Sequence, residues 1–106
     1  MLLAIDIGNT EITAGLFQGD RLSAHWRMTT NPDRTPDEWA GAIGTFLVNR
    51  GHSPNEVRAA CIASVAPGVT LSVSDGVAEA TGARPTIIDA RTPLPVVLDV
   101  DDPLSV

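Results

Sequence analysis

The chain opens on strand periodicity. Leu2, Leu3, Ala4 and Ile5 form an apolar run into Asp6 and Ile7. After Gly8-Asn9-Thr10, the positions Ile12, Ala14 and Leu16 alternate with Thr13, Gly15 and Phe17. This pattern predicts strands over 2–7 and 11–17. Gln18-Gly19-Asp20 reads as a tight connection in which Gly19 takes a positive φ. In a third strand over 21–28, Leu22, Ala24, Trp26 and Met28 alternate with polar residues, so Trp26 is buried and His25 lies on the other face. Three successive strands with short turns make an antiparallel meander.

A polar loop over 29–34 ends the alternation. Thr35-Pro36-Asp37-Glu38 is then a helix start, with Thr at the cap, Pro at the first helical position and Glu three residues after the cap. Trp39, Ile43, Phe46 and Leu47 make one apolar stripe, and Gly51 after Arg50 stops the helix. Residues 57–63 are small and apolar on both faces except for Arg58, which suits a strand covered on both sides in a parallel arrangement. A loop over 64–68 leads to a second helix over 69–81, with Leu71, Val73, Val77 and Ala80 facing inward. Gly76 and two serines count against that helix. Gly82 closes it, a short buried strand follows over 86–89, and another over 95–99 precedes a turn at Asp101-Asp102-Pro103. The result is an α/β fold in one domain over 1–106: three antiparallel strands, then helix-connected strands, in a mixed sheet flanked by helices.

Composition narrows the function. The chain has 106 residues, enough for one small domain with its own core. No apolar run approaches the roughly 20 residues of a membrane span, and the opening residues lack the basic leader of a signal peptide. The single cysteine, Cys61, precludes an internal disulfide and fits a reducing cytoplasm. Net charge is −6, with 13 acidic and 7 basic residues, which argues against nucleic-acid binding. All the basic residues are Arg, so a Walker-type phosphate loop, which ends in Lys, is excluded.

The candidate chemistry lies in the first turn. An acidic side chain at the end of a buried strand is costly unless something uses or pairs it. Asp6 is followed by Gly8, the Asn9 amide, the Thr10 hydroxyl and backbone N–H groups. Such a turn suits phosphate oxygens, with Asp6 facing the accompanying magnesium. The structural alternative is a hairpin in which Asp6 caps the turn and Asn9 takes a left-handed position. Ser64, at the end of a central strand, is a second candidate for the border of a cleft. His25, Cys61, Trp26, Trp39 and the pair Asp101 and Asp102 read as surface, core or turn residues.

Asp6-Ile7-Gly8-Asn9-Thr10 with Gly15-Leu16-Phe17 resembles the first phosphate motif of the acetate and sugar kinase, Hsp70 and actin superfamily. The wording is most similar to the type III pantothenate kinases. His25-Trp26-Arg27, Thr35 with Asp37-Glu38, Ala63-Ser64-Val65 with Pro67, Arg91-Thr92, Leu94-Pro95, and Asp102-Pro103 with Val106 match that family in order. The resemblance implies a ribonuclease H-like sheet forming half of an actin-like ATPase domain. It implies ATP-dependent phosphorylation of pantothenate at its primary hydroxyl, the first step of coenzyme A synthesis. Asp6, Ile7, Gly8, Asn9, Thr10 and Thr13 would line the ATP-phosphate site, with Asp6 reaching magnesium through bound water. It also implies a monovalent cation (potassium or ammonium), a homodimer and a cytoplasmic location.

Where many members carry Asn and Lys, this chain has Glu11 and Thr13. Pro93 replaces a Gly, and Val100 stands at a substrate-contacting Tyr. In the family a Gly-Ala-Asp-Arg stretch, bearing the catalytic base, and a second domain follow the position of Val106. The resemblance therefore implies that residues 1–106 are the N-terminal domain, inactive alone. Another kinase of the superfamily, or a catalytically silent relative, remains open.

Overall fold

The alternating residues of the opening segment pair as expected. In the computed structural model, which describes residues 1–88, β1 (Leu2–Ile7), β2 (Glu11–Gln18) and β3 (Arg21–Thr29) form an antiparallel meander. Asp89, the expected strand over 95–99, the Asp101-Asp102-Pro103 turn and Val100 lie outside the described residues. The register sets Leu3 against Leu16, Ile5 against Ala14 and Ile7 against Ile12, all buried. The intervening pairs, Ala4 with Gly15 and Asp6 with Thr13, share the opposite face. Gly19 has φ 63°, the positive value its turn requires.

Helix α1 (Pro36–Asn49) has both of its expected ends. Glu38 N–H donates to Thr35 Oγ1 at 3.2 Å, and Thr35 N–H donates to Glu38 Oε1 at 2.9 Å. Such a cap contributes about 1 kcal/mol. At the other end Gly51, at φ 83°, donates to Val48 O at 3.0 Å, and His52 N–H donates to Leu47 O at 3.0 Å. This satisfies carbonyls that the helix leaves open. Arg50 anchors that end to β3. Its Nε donates to His25 O at 3.0 Å, and its guanidinium covers the stacked rings of Trp26 and Phe46.

A 3₁₀ turn at Pro54–Glu56, opened by Ser53-Pro54-Asn55-Glu56 in the same capping pattern as α1, precedes β4 (Ala59–Ser64). Val57 closes this turn by donating to Pro54 O, so the strand starts later than residue 57. β4 lies parallel to β1, and β5 (Thr86–Ile88) lies parallel to β4, giving the sheet order β3-β2-β1-β4-β5.

Between them runs α2 (Pro67–Thr81), which corrects two expectations. The loop expected over 64–68 shrinks to Val65 and Ala66, because Pro67 at the first helical position has no N–H to lose. Leu71 faces solvent and is 72% exposed. The buried stripe runs through Val69, Val73, Gly76 and Val77, with Ala80 partly covered. Leu71 lies two residues from Val73, about 200° around the helix.

Both helices supply one core with the same sheet face: Trp39, Ile43 and Leu47 from α1 and Val69, Val73 and Val77 from α2 pack over Leu3, Ile5, Ile7, Ile12 and Ile62. The covering expected on both faces of the fourth strand is therefore unequal. Ile62 is fully buried, whereas Cys61 and Ala63 are only half-buried. No helix among the described residues is long and apolar enough to cross a membrane.

Candidate phosphate-binding turn

The C-terminal ends of β1 and β4 meet at one edge of the sheet. Ile7 is paired with Ser64, and Val65 N–H donates to Ile7 O at 3.0 Å. This places the turn after β1 beside the start of α2. Open α/β sheets bind ligands at this edge. Ile7 itself points into the core with no exposed surface, so only its backbone belongs to the site.

The hairpin closes through Gly8 N–H, which donates to Glu11 O at 2.9 Å. Gly8 is required here for space. A Cβ on it would lie 2.9 Å from that same oxygen. Asn9 and Thr10 are exposed at the tip, and their backbone N–H groups have no partner among the described residues. The carbonyls on either side are occupied: Thr30 Oγ1 donates to Gly8 O at 2.8 Å, and Thr30 N–H donates to Thr10 O at 3.0 Å. Two carbonyls of the turn are thus occupied while two of its amides stay open, and open amides are what an anion requires.

Asp6 lies just before this tip on the face away from the helices, opposite Thr13. Partial desolvation raises its carboxyl above its ordinary value although the residue stays exposed, and no hydrogen bond or ion pair from the described residues offsets that shift. Neither part of the structural alternative is present. Asp6 does not cap the turn, and among the described residues only Gly19, Gly51 and Gly82 have positive φ, so Asn9 is not left-handed.

Magnesium keeps several waters and binds through one or two carboxylates plus substrate phosphates. A lone, unpaired Asp6 beside open amides fits that mode. The described residues contain no group of three or more His, Cys, Asp or Glu side chains that could cage a metal unaided.

Neighbouring charges lean away from the tip. Glu11 pairs with Arg27 at 3.6 Å, both well exposed. Such a pair contributes little to stability, but it directs the Glu11 charge toward β3. The two residues line an open groove of about 460 Å³ with Thr10, Met28 and Thr29. Ser64 is engaged locally, accepting from Ala66 N–H at 3.0 Å and from the Thr70 hydroxyl at 2.8 Å. Thr30 is the residue that sequence reading missed, since it falls in the polar loop after the third strand. The signal was the register: Glu11 opposite Thr29 puts Thr30 beside Thr10.

Gly8→Ala is expected to cost about 1–3 kcal/mol through crowding against Glu11 O. Chemical unfolding checks this effect.

The sequence profile of type III pantothenate kinase matches residues 2–106. The chain is 39% identical over 90 residues to the type III pantothenate kinase of Agathobacter rectalis, covering 85% of this chain and 35% of that protein. It is 35% identical over 106 residues to that of Thermomicrobium roseum, covering 100% and 41%. The chain therefore spans well under half the length of these relatives. Among solved structures, the ROK hexokinase from Thermus thermophilus superposes with a TM-score of 0.59 at 22% identity, over 83% of this chain and 33% of that one. This likeness shows the actin-like ATPase fold.

Proposed function

From the premise that the chain belongs to the type III pantothenate kinase family, we propose that it is the N-terminal, ATP-phosphate-binding domain of an enzyme that phosphorylates pantothenate with ATP. The observation that carries the reading is the juxtaposition, on one turn at the C-terminal edge of the sheet, of a carboxylate and two backbone amides that have no partner among the described residues. In this reading the N–H groups of Asn9 and Thr10 hold phosphate oxygens, and the Thr10 hydroxyl adds a donor. Asp6 would hold the hydrated magnesium, and Thr13 borders Asp6 across the hairpin. Gly8 lets the two strands close beneath the phosphates. Magnesium supplies neutralisation of the phosphate charge.

Phosphoryl transfer depends chiefly on positioning and on such neutralisation, which a hairpin can provide without lysine. The pantothenate hydroxyl oxygen forms the new bond to the γ-phosphorus as the bond to the ADP oxygen breaks. The hydroxyl proton goes to a base carried outside residues 1–106. Val100 is proposed to pack against pantothenate. Family membership alone supports the monovalent cation, the homodimer and the cytoplasmic location, and no described residue is assigned to them.

A coupled ADP-release assay on the full-length protein tests the substrate. Saturable release that depends on pantothenate is the expected result. Turnover of a sugar or another alcohol without any response to pantothenate would reject the substrate and retain the superfamily. No turnover of any alcohol would leave the catalytically silent relative.

A further inference from the structure

Thr30, the residue after β3, reaches across to the phosphate turn with two separate groups. Its hydroxyl donates to Gly8 O at 2.8 Å and its N–H donates to Thr10 O at 3.0 Å. We propose that Thr30 is a positioning residue that sets the direction of the phosphate-binding amides. The argument is peptide planarity. In a trans peptide the C=O and N–H point in opposite directions. The hydroxyl bond to Gly8 O therefore fixes the plane shared with Asn9 N–H and turns that N–H away from Thr30. The second bond fixes the plane that follows Thr10 in the same way. The peptide between them, which carries Thr10 N–H, is held from both sides. Without the hydroxyl, the Gly8–Asn9 plane would lose the bond on its carbonyl, next to a glycine whose backbone resists rotation least.

Thr30 is half-buried with its hydroxyl engaged on Gly8 O, so the effect proposed for it passes through the turn. Only the side-chain bond depends on residue type, because the backbone bond survives substitution.

The proposal rests on reading the turn as the ATP site, and its test separates the two. Thr30→Val, Thr30→Ser and Asp6→Asn are compared in the full-length protein, with magnesium-ATP binding measured by calorimetry alongside steady-state kinetics. Loss of one neutral hydrogen bond predicts that Thr30→Val weakens ATP binding and raises the KM for ATP about tenfold. The KM for pantothenate should be unchanged, and Thr30→Ser should restore wild-type values. Thr30→Ala removes the hydroxyl without adding an apolar branch and reads the same loss if the valine variant does not fold. Wild-type ATP binding in the variants that lack the hydroxyl, or an equal loss in Thr30→Ser, overturns the role of Thr30. If Asp6→Asn meanwhile loses ATP binding, the ATP reading stands without it. Wild-type ATP binding together with wild-type turnover in Asp6→Asn rejects the ATP site, and the Thr30 role falls with it.

Discussion

Asp6→Asn in the full-length protein is expected to lower pantothenate phosphorylation by about a hundredfold or more, the scale of losing one preorganised charge-stabilising group. The fold should be at least as stable as before. The two halves of this expectation have the same origin. Partial desolvation raises the exposed Asp6 carboxyl above its ordinary value, with nothing among the described residues to offset the shift. A folded-state pKa above the unfolded value favours the protonated form. Its stabilising contribution is complete below the unfolded carboxylate pKa and is lost as pH rises through the folded one. At neutral pH the ionised group is therefore a cost, which Asn does not carry. Thermal melts should show the Asn variant equal to or above wild type at pH 7. The difference should close as pH falls through the carboxylate range. A variant with reduced stability at pH 7 would mean that Asp6 holds the fold together, and near-normal turnover would remove it from the mechanism.

Gly76→Ala should destabilise the protein, although alanine is the better helix former by about 1 kcal/mol. A Cβ at Gly76 would lie 2.5 Å from Trp39 Cβ and 3.0 Å from both Ala40 N and Pro36 O. These are backbone atoms and a side-chain root, which have no rotamer to escape through, and Trp39 is fully buried. Overpacking of this kind costs about 1–3 kcal/mol, enough to outweigh the helical gain. Gly41 in α1 provides the control, because a Cβ there meets nothing within 4 Å. Gly41→Ala should then raise stability by about 0.5–1 kcal/mol. Denaturant unfolding of the two variants should shift in opposite directions. A stabilising Gly76→Ala would contradict the close packing of α1 and α2.

This glycine also shows where the amino-acid pattern stops being legible. Read locally, Gly76 weakens a helix. In the fold it is the point where α2 closes on Trp39, a contact between residues far apart in sequence. Leu71 misled for a related reason: with several small residues around it, the helix pattern leaves the angle of the buried stripe open until α1 and the sheet fix it. The meander and α1 were readable because their determinants are local. Alternation, the Thr35–Glu38 capping pair and Gly51 each act within a few residues.

The candidate site divides in the same way. Asp6, Gly8, Asn9 and Thr10 stand consecutively around one turn and carry recognisable chemistry. Thr30 does not, since its bonds to that turn exist only once β3 is paired in register with β2. Val100 lies outside the described residues.

The central claim is that the turn from Asp6 to Thr10 receives the phosphates of ATP. Backbone amide NMR of the full-length protein titrated with magnesium and a non-hydrolysable ATP analogue tests it most directly. The amides of Asn9 and Thr10, open in this structure, should shift most within the hairpin and become protected from exchange at saturation. Saturable binding of the analogue with these two amides unmoved would contradict the account.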